Sequence, residues 1–174
     1  MIHLEPTEVF NPGQMTCDEY LDSLFNTFLK TLIHRPLYWK TAGCRVSFRR
    51  YEEVDGRYAS FWHLISGGSQ TDTERNVEIE RCRRIGWIRP MVEAFNQDFP
   101  NRENHIYWWV SPDPRWRGRR YGLATEGFEY VLFIEERPKY ALIITAYYVK
   151  QTRRRAKFRA EHDEFWKEKQ GPPA

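Results

Sequence analysis

The sequence predicts an α+β fold, with a small, mainly antiparallel β-sheet of about five strands packed against N-terminal and central helices and a C-terminal helix closing the chain. Three observations carry this expectation. Helical periodicity is concentrated near the start, the middle and the end of the chain. Aromatic and β-branched residues alternate in several short runs between those stretches. One of them, Ala141-Leu142-Ile143-Ile144-Thr145-Ala146-Tyr147-Tyr148-Val149, is almost continuously apolar, as a central strand buried on both faces would be.

Residues 1–17, with Pro6, Pro12 and Gly13 and little periodicity, are expected to form a flexible arm. A single domain is expected over 18–170, with 171–174 as a tail. Its N-terminal helix spans 18–35, capped by Asp18, carrying Leu21, Leu24, Phe25, Phe28 and Leu32 on one face and ending before Pro36. Residues 45–51 and 58–65 flank Val54-Asp55-Gly56 and predict a hairpin, since Asp-Gly supplies the positive φ of a tight turn. Ser66-Gly67-Gly68-Ser69 reads as a flexible loop. A second helix, capped by Asp72 or Thr73, is expected to reach about Arg89. Its apolar stripe is Ile79, Cys82, Ile85 or Gly86, and Ile88, and Pro90 should kink or restart it. Strands are expected over 105–110, 127–135 and 140–150, with 111–125 as a long loop. Residues 151–169 have helical spacing around Phe158 and Phe165.

A chain of 174 residues, 41% hydrophobic and 16% aromatic, can bury a core without staples and is not of disordered composition. No apolar run approaches the roughly 18 residues of a membrane span. The first residues, with Glu5 and Glu8 and no apolar stretch, do not read as a secretory signal. Cys17, Cys44 and Cys82 form neither a disulfide framework nor a zinc pattern, so reduced thiols in a cytoplasmic protein are expected. The five histidines are isolated, and no metal is expected. Net charge is +3, but residues 1–35 carry −3 and the remainder +6, and 20 of the 27 cations are Arg. Arg in such excess favours planar, bidentate contacts to carboxylate or phosphate.

Several residues are candidates for chemistry. His63, expected at the end of a hairpin strand beside a glycine loop, is either a proton-transfer group facing a cleft or a half-buried ring bonded to backbone. Arg75, Arg81, Arg83, Arg84 and Arg89, mixed with Glu78 and Glu80, either hold an anion or form a solvated, ion-paired helix face. Thr145 and Tyr147 are two apart and project from the same face of a strand. They are core unless the sequel Arg153-Arg154-Arg155-Ala156-Lys157 makes them a phosphate-reading edge. Arg115-Trp116-Arg117-Gly118-Arg119-Arg120-Tyr121 interleaves guanidinium and aromatic groups, which suits single-stranded nucleic acid as well as it suits an exposed loop. Nucleotide-triphosphate, dinucleotide and serine-hydrolase motifs are missing from the sequence.

Three blocks together, Phe61-Trp62-His63-Leu64-Ile65-Ser66, Arg81-Cys82-Arg83-Arg84-Ile85-Gly86-Trp87-Ile88-Arg89-Pro90 and Ile144-Thr145-Ala146-Tyr147-Tyr148-Val149, resemble phage and prophage members of the barnase, EndoU, colicin and RelE-like nuclease superfamily. The resemblance covers about residues 45–160, with Gly86 interrupting the helix block. It implies a metal-independent endoribonuclease without cofactor, acting on RNA by attack of the 2′-hydroxyl to leave 2′,3′-cyclic phosphate and 5′-hydroxyl ends. The motif histidine is then His63, the helix arginines Arg81 and Arg84, and the strand hydroxyls Thr145 and Tyr147. Lys150 and Arg154 would bind flanking phosphates, and Arg117 and Arg119 the strand beyond. It further implies a toxin-like effector restrained by a cognate inhibitor, protein or RNA. The alternatives are an RNA-binding module without catalysis and a phage-encoded regulatory or interaction protein.

Overall fold

The computed structural model describes residues 1–67, 76–102, 104–112 and 118–170. Helix α1 (Cys17–Phe28) continues into a π-helical turn over Leu29–Ile33, followed by strands β1 (Tyr38–Trp39) and β2 (Cys44–Ser47). Then come α2 (Ala59–Ile65), a two-stranded ladder of β3 (Ser66–Gly67) and β4 (Asn76–Val77), and α3 (Ile79–Cys82). A 3-10 turn over Ile85–Trp87 leads into α4 (Ile88–Asp98). Strands β5 (Tyr107–Val110), β6 (Arg119–Ala124), β7 (Tyr130–Glu136) and β8 (Tyr140–Tyr148) follow, and α5 (Thr152–Gln170) ends the described chain.

The fold is α+β. Six strands form one sheet in the order β1-β2-β8-β7-β6-β5, antiparallel throughout except where β2 runs parallel to β8. Strand alternation separates two cores. Tyr130, Leu132 and Ile134 of β7 join Leu24 and Phe28 of α1 and Val92 and Phe95 of α4 on one face. Val131 and Phe133 point the other way and meet Trp109, Phe128 and Phe158 beneath α5. A register shift between Phe133 and Ile134 opposite β8 keeps both faces filled.

The structure corrects several expectations. Residues 58–65 are not a strand but contain α2, in which every residue except His63 is buried. A short helix buried on nearly all sides leaves no polar stripe, and its sequence then reads like a buried strand. The Asp55-Gly56 turn is present, with φ of 52° and 68°, but it is closed only by the Val54–Arg57 bridge. The strands beside β2 are instead β1 and, across a long connection, β8.

The expected helix to Arg89 is broken. Its proposed caps, Asp72 and Thr73, lie outside the described residues, as does Arg75. The chain is extended at β4, makes one turn of helix at α3, and leaves helical geometry at Arg84, with φ −118° and ψ 10°. Pro90 then lies in the first turn of α4, where its missing N–H costs nothing. Residues 111–125 are not all loop, since β6 pairs along six residues with β7. Gly122 is there because Trp109 of β5 lies directly across it, where a Cβ would collide with the indole.

Helix α1 is capped not by Asp18 but by Thr16, whose hydroxyl accepts from Glu19 N–H while the Glu19 carboxylate accepts from Thr16 N–H. Residues 1–16 form no helix or strand and lie along the body. Ile2 N–H donates to His105 O, Trp87 Nε1–H to Glu5 O and the Tyr20 hydroxyl to Glu8 O.

Candidate functional site

Strand β2 reaches only as far as Leu142 along β8, so from Ile143 onward that edge of β8 has no strand beside it among the described residues. The short helices α2 and α3 come up against it instead. Arg81 of α3 donates through Nη1 to Ala146 O of β8 and to His63 O of α2, each at 3.4 Å. His63 is the exposed residue of α2. It lines a small cavity of about 70 Å³ with Arg49, Ser60 and Leu142, Ile143 and Ile144, the residues just before Thr145.

Thr145 and Tyr147 share a face, as their spacing predicts, and stand opposite Phe133 and Val131 on the α5 side of the sheet. They open into a cleft of about 560 Å³ between the sheet and the first turns of α5, with Arg120, Arg154 and Lys157 in its lining. The Tyr147 hydroxyl accepts from Arg154 Nη2 at 2.9 Å. The guanidinium carbons of Arg154 and Arg81 stand 4.8 and 5.3 Å from the centre of its ring. Burial pushes the phenol pKa up, with Arg154, Arg81 and Arg120 pulling the other way, so Tyr147 stays protonated across the neutral range. Arg120 is buried, its guanidinium 5.5 Å over Phe133.

Arg84 is placed differently. It pairs with the Glu80 carboxylate, donates to Glu80 O at 2.9 Å and covers the rings of Trp87 and Tyr148 at 5.0 and 4.5 Å. Tyr148 belongs to the helix-side core, so Arg81 and Arg84 flank the end of β8 from opposite faces of the sheet. The hydrogen bond from Arg84 holds the Glu80 carboxyl below its ordinary pKa. Arg81 is itself paired with Glu78 at 2.9 Å.

Of the other cationic candidates, Lys150 lies exposed just past β8, and Arg154 stands in the first turn of α5. Arg119 is exposed at the start of β6 and lines a second, larger cleft. Arg117 lies outside the described residues. Arg155 is structural, tied to Val149 O at 2.6 Å, to Glu129 at 2.8 Å and to the Tyr148 hydroxyl at 3.2 Å.

Arg120, read from sequence as part of a candidate nucleic-acid loop, lies instead on strand β6, buried in the lining of the Tyr147 cleft. Its signal was the alternation Arg120, Gly122, Ala124, hidden because Gly and Arg mark loops more often than strands. Among the described residues no group of three His, Cys, Asp or Glu is placed to hold a metal ion, and no helix is long and apolar enough to cross a membrane.

The fold and cleft define an α+β protein with hydroxyls and guanidinium groups gathered at the end of a central strand that β7 pairs along one edge. No family model, curated protein or solved structure matches this chain.

Proposed function

We propose that the protein is a metal-independent endoribonuclease whose scissile phosphate lies against Tyr147. The observation that carries this reading is the placing of Tyr147 in one cleft with Thr145, Arg120 and Arg154, the guanidinium carbons of Arg154 and Arg81 standing 4.8 and 5.3 Å from the centre of its ring. A phosphate there meets bidentate cations and two hydroxyl donors, the set a pentacoordinate phosphorane needs.

In this scheme the ribose 2′-oxygen attacks phosphorus and the bond to the 5′-oxygen breaks. One proton leaves the 2′-hydroxyl and one is delivered to the departing 5′-oxygen. His63 lines a separate small cavity that shares no residue with the Tyr147 cleft, and it moves the proton at one end of this transfer only where the bound RNA reaches along β8 from Tyr147 to that cavity. Arg81 and Arg154 neutralise the phosphorane, and Thr145 donates to a phosphate oxygen. Lys150 and Lys157 bind flanking phosphates. Arg84 acts as a positioning residue, holding Tyr148 and hence the end of β8.

One observation favours a second reading, RNA binding without cleavage. Arg81 and Arg84 already hold Glu78 and Glu80, and the Tyr147 hydroxyl already has a donor. Incubating the chain with single-stranded RNA in chelator separates the two. The nuclease reading expects 2′,3′-cyclic phosphate ends and a loss of about 10²–10⁴-fold in rate for His63→Ala. It also expects expression to arrest a host lacking the inhibitor. Salt-dependent binding with no cleavage, cleavage that requires a divalent metal, or a His63→Ala variant as active as the parent overturns it.

A further inference from the structure

The phosphate cleft does not end at Lys157. It continues into the larger cleft, about 760 Å³, and the two share Ser111, Pro112, Lys157 and Glu161 in their linings. A volume of this order is typical of small-molecule sites. The chemistry changes along the groove. Near Tyr147 the lining is hydroxyls, the cations Arg120, Arg154 and Lys157, and the rings of Phe133 and Phe158, with Glu161, which accepts from Trp109 Nε1, where the two clefts meet. Beyond Lys157 the walls are Phe99, Val110 and Phe165, all half-buried, over a floor of Trp108 and Tyr121, with the exposed Arg119 on the β6 side opposite the α5 carboxylates.

Along one side, Glu161, Glu164 and Glu168 follow one another at helical spacing on α5 and all line this cleft. Three carboxylates repel a phosphate but accept hydrogen bonds from N–H donors. The ammonium of Lys169, 5.2 Å from the Phe165 ring, stands at the far end. Lys157 stands at the near end, about 18 Å away along the helix. An occupant must therefore be flat and apolar in its faces, rich in N–H donors at its edge, and joined to anionic groups at both ends of the groove.

We infer that this larger cleft is a base subsite for unpaired nucleotides of a single-stranded RNA whose phosphate occupies the Tyr147 cleft. It favours bases with an exocyclic amine over uracil. A base enters between Phe99 and Phe165 and turns its amine edge to the α5 carboxylates. Uracil presents two carbonyl oxygens and a single N–H there, and the carboxylates disfavour it. A duplex cannot enter, because its bases are stacked and their edges paired. The inference rests on the RNA reading of the Tyr147 cleft and adds the selectivity of the neighbouring site.

The test is anisotropy titration of the full chain with labelled 2′-O-methyl oligo(A), oligo(C), oligo(U) and a blunt 2′-O-methyl RNA duplex of equal length, probes without the attacking 2′-hydroxyl, in chelator. Oligo(A) and oligo(C) are expected to bind about tenfold or more tighter than oligo(U) and the duplex. Phe165→Ala should weaken oligo(A) by a similar factor. Glu164→Gln with Glu168→Gln should narrow the gap between oligo(A) and oligo(U), a readout that a merely structural role would not move. Thermal melts of each variant, together with retained binding of oligo(U), exclude misfolding. Equal binding of all four probes, or an unchanged preference in the Glu variants, overturns the base subsite and leaves the RNA reading standing. No binding of any RNA overturns both.

Discussion

Nη2 of Arg154 donates to the Tyr147 hydroxyl at 2.9 Å, joining the first turn of α5 to the last residues of β8 across seven positions of sequence. The contact lies at the cleft rather than in the core, since Arg154 is exposed and Tyr147 only half-buried. Arg154→Ala should therefore change stability by no more than about 0.5–1 kcal/mol, the range of exposed cation–π contacts. Its effect on RNA should be larger. Losing one phosphate contact lowers the slope of log affinity against log salt by about 0.7 for a single strand. Titrations between low and moderate salt measure that slope, and an unchanged slope would remove Arg154 from the site.

Arg89 has the opposite character. It is buried in α4, paired with Glu93 at 2.8 Å, and donates to the carbonyls of Thr31 and Arg35 where α1 gives way to the β1 segment. Arg89→Met leaves those carbonyls without donors and should cost about 3 kcal/mol. Denaturant midpoints check this, and cleft variants such as Tyr147→Phe should show no comparable shift.

Asp98 governs acid stability. Burial works against its ionisation, but the His105 imidazole and the N–H groups of His105, Ile106 and Asn104 donate to it and hold its pKa below the ordinary value. A carboxyl depressed in the folded state stabilises above its unfolded pKa of about 3.9. That contribution disappears as pH falls through the lower folded value. Asp98→Asn should cost about 2 kcal/mol at neutral pH. The difference from the parent should shrink below about pH 4, as unfolding curves at a series of pH values would show.

Thiol labelling tests the packing around α3. Cys17 is exposed, Cys44 half-buried and Cys82 buried, and burial pushes the Cys82 thiol pKa up to about 12. Burial also raises that of Cys44. Cys17 should react with a disulfide reagent at once, Cys44 slowly, and Cys82 only on unfolding. Fast reaction of two or more thiols in the folded protein would contradict this packing.

Gly122→Ala should cost about 1–3 kcal/mol by driving a methyl group into the Trp109 indole. A melt that shows no loss would mean that β5 and β6 are not in this register.

Much of this architecture was legible locally. Helices α1 and α5 and strands β5, β7 and β8 each bury one recurring face or a continuous apolar run, so their periods survive in sequence. The expectation of about five strands lost one, at 58–65, and gained two in the main sheet: the two-residue β1, and β6, which carries Arg and Gly where a strand signal is sought. Helix α2 was misread because burial on nearly all sides erases periodicity. In the candidate site, the shared face of Thr145 and Tyr147 followed from the two-residue period alone. The spacing of Arg81 and Arg84 suggested a common helix face, but α3 ends at Cys82 and the two arginines part around β8.

Taken alone, then, the sequence determined the α+β class, the first and last helices, the central apolar strand and the concentration of arginine in the body. Those properties depend on neighbours within a few residues, which backbone geometry repeats. Tertiary structure decided which cations gather about Tyr147, that His63 sits on a helix beside β8, and that the Tyr147 cleft runs on into an aromatic one. Such contacts join residues far apart in the chain, and only the order in which the strands pair brings them together.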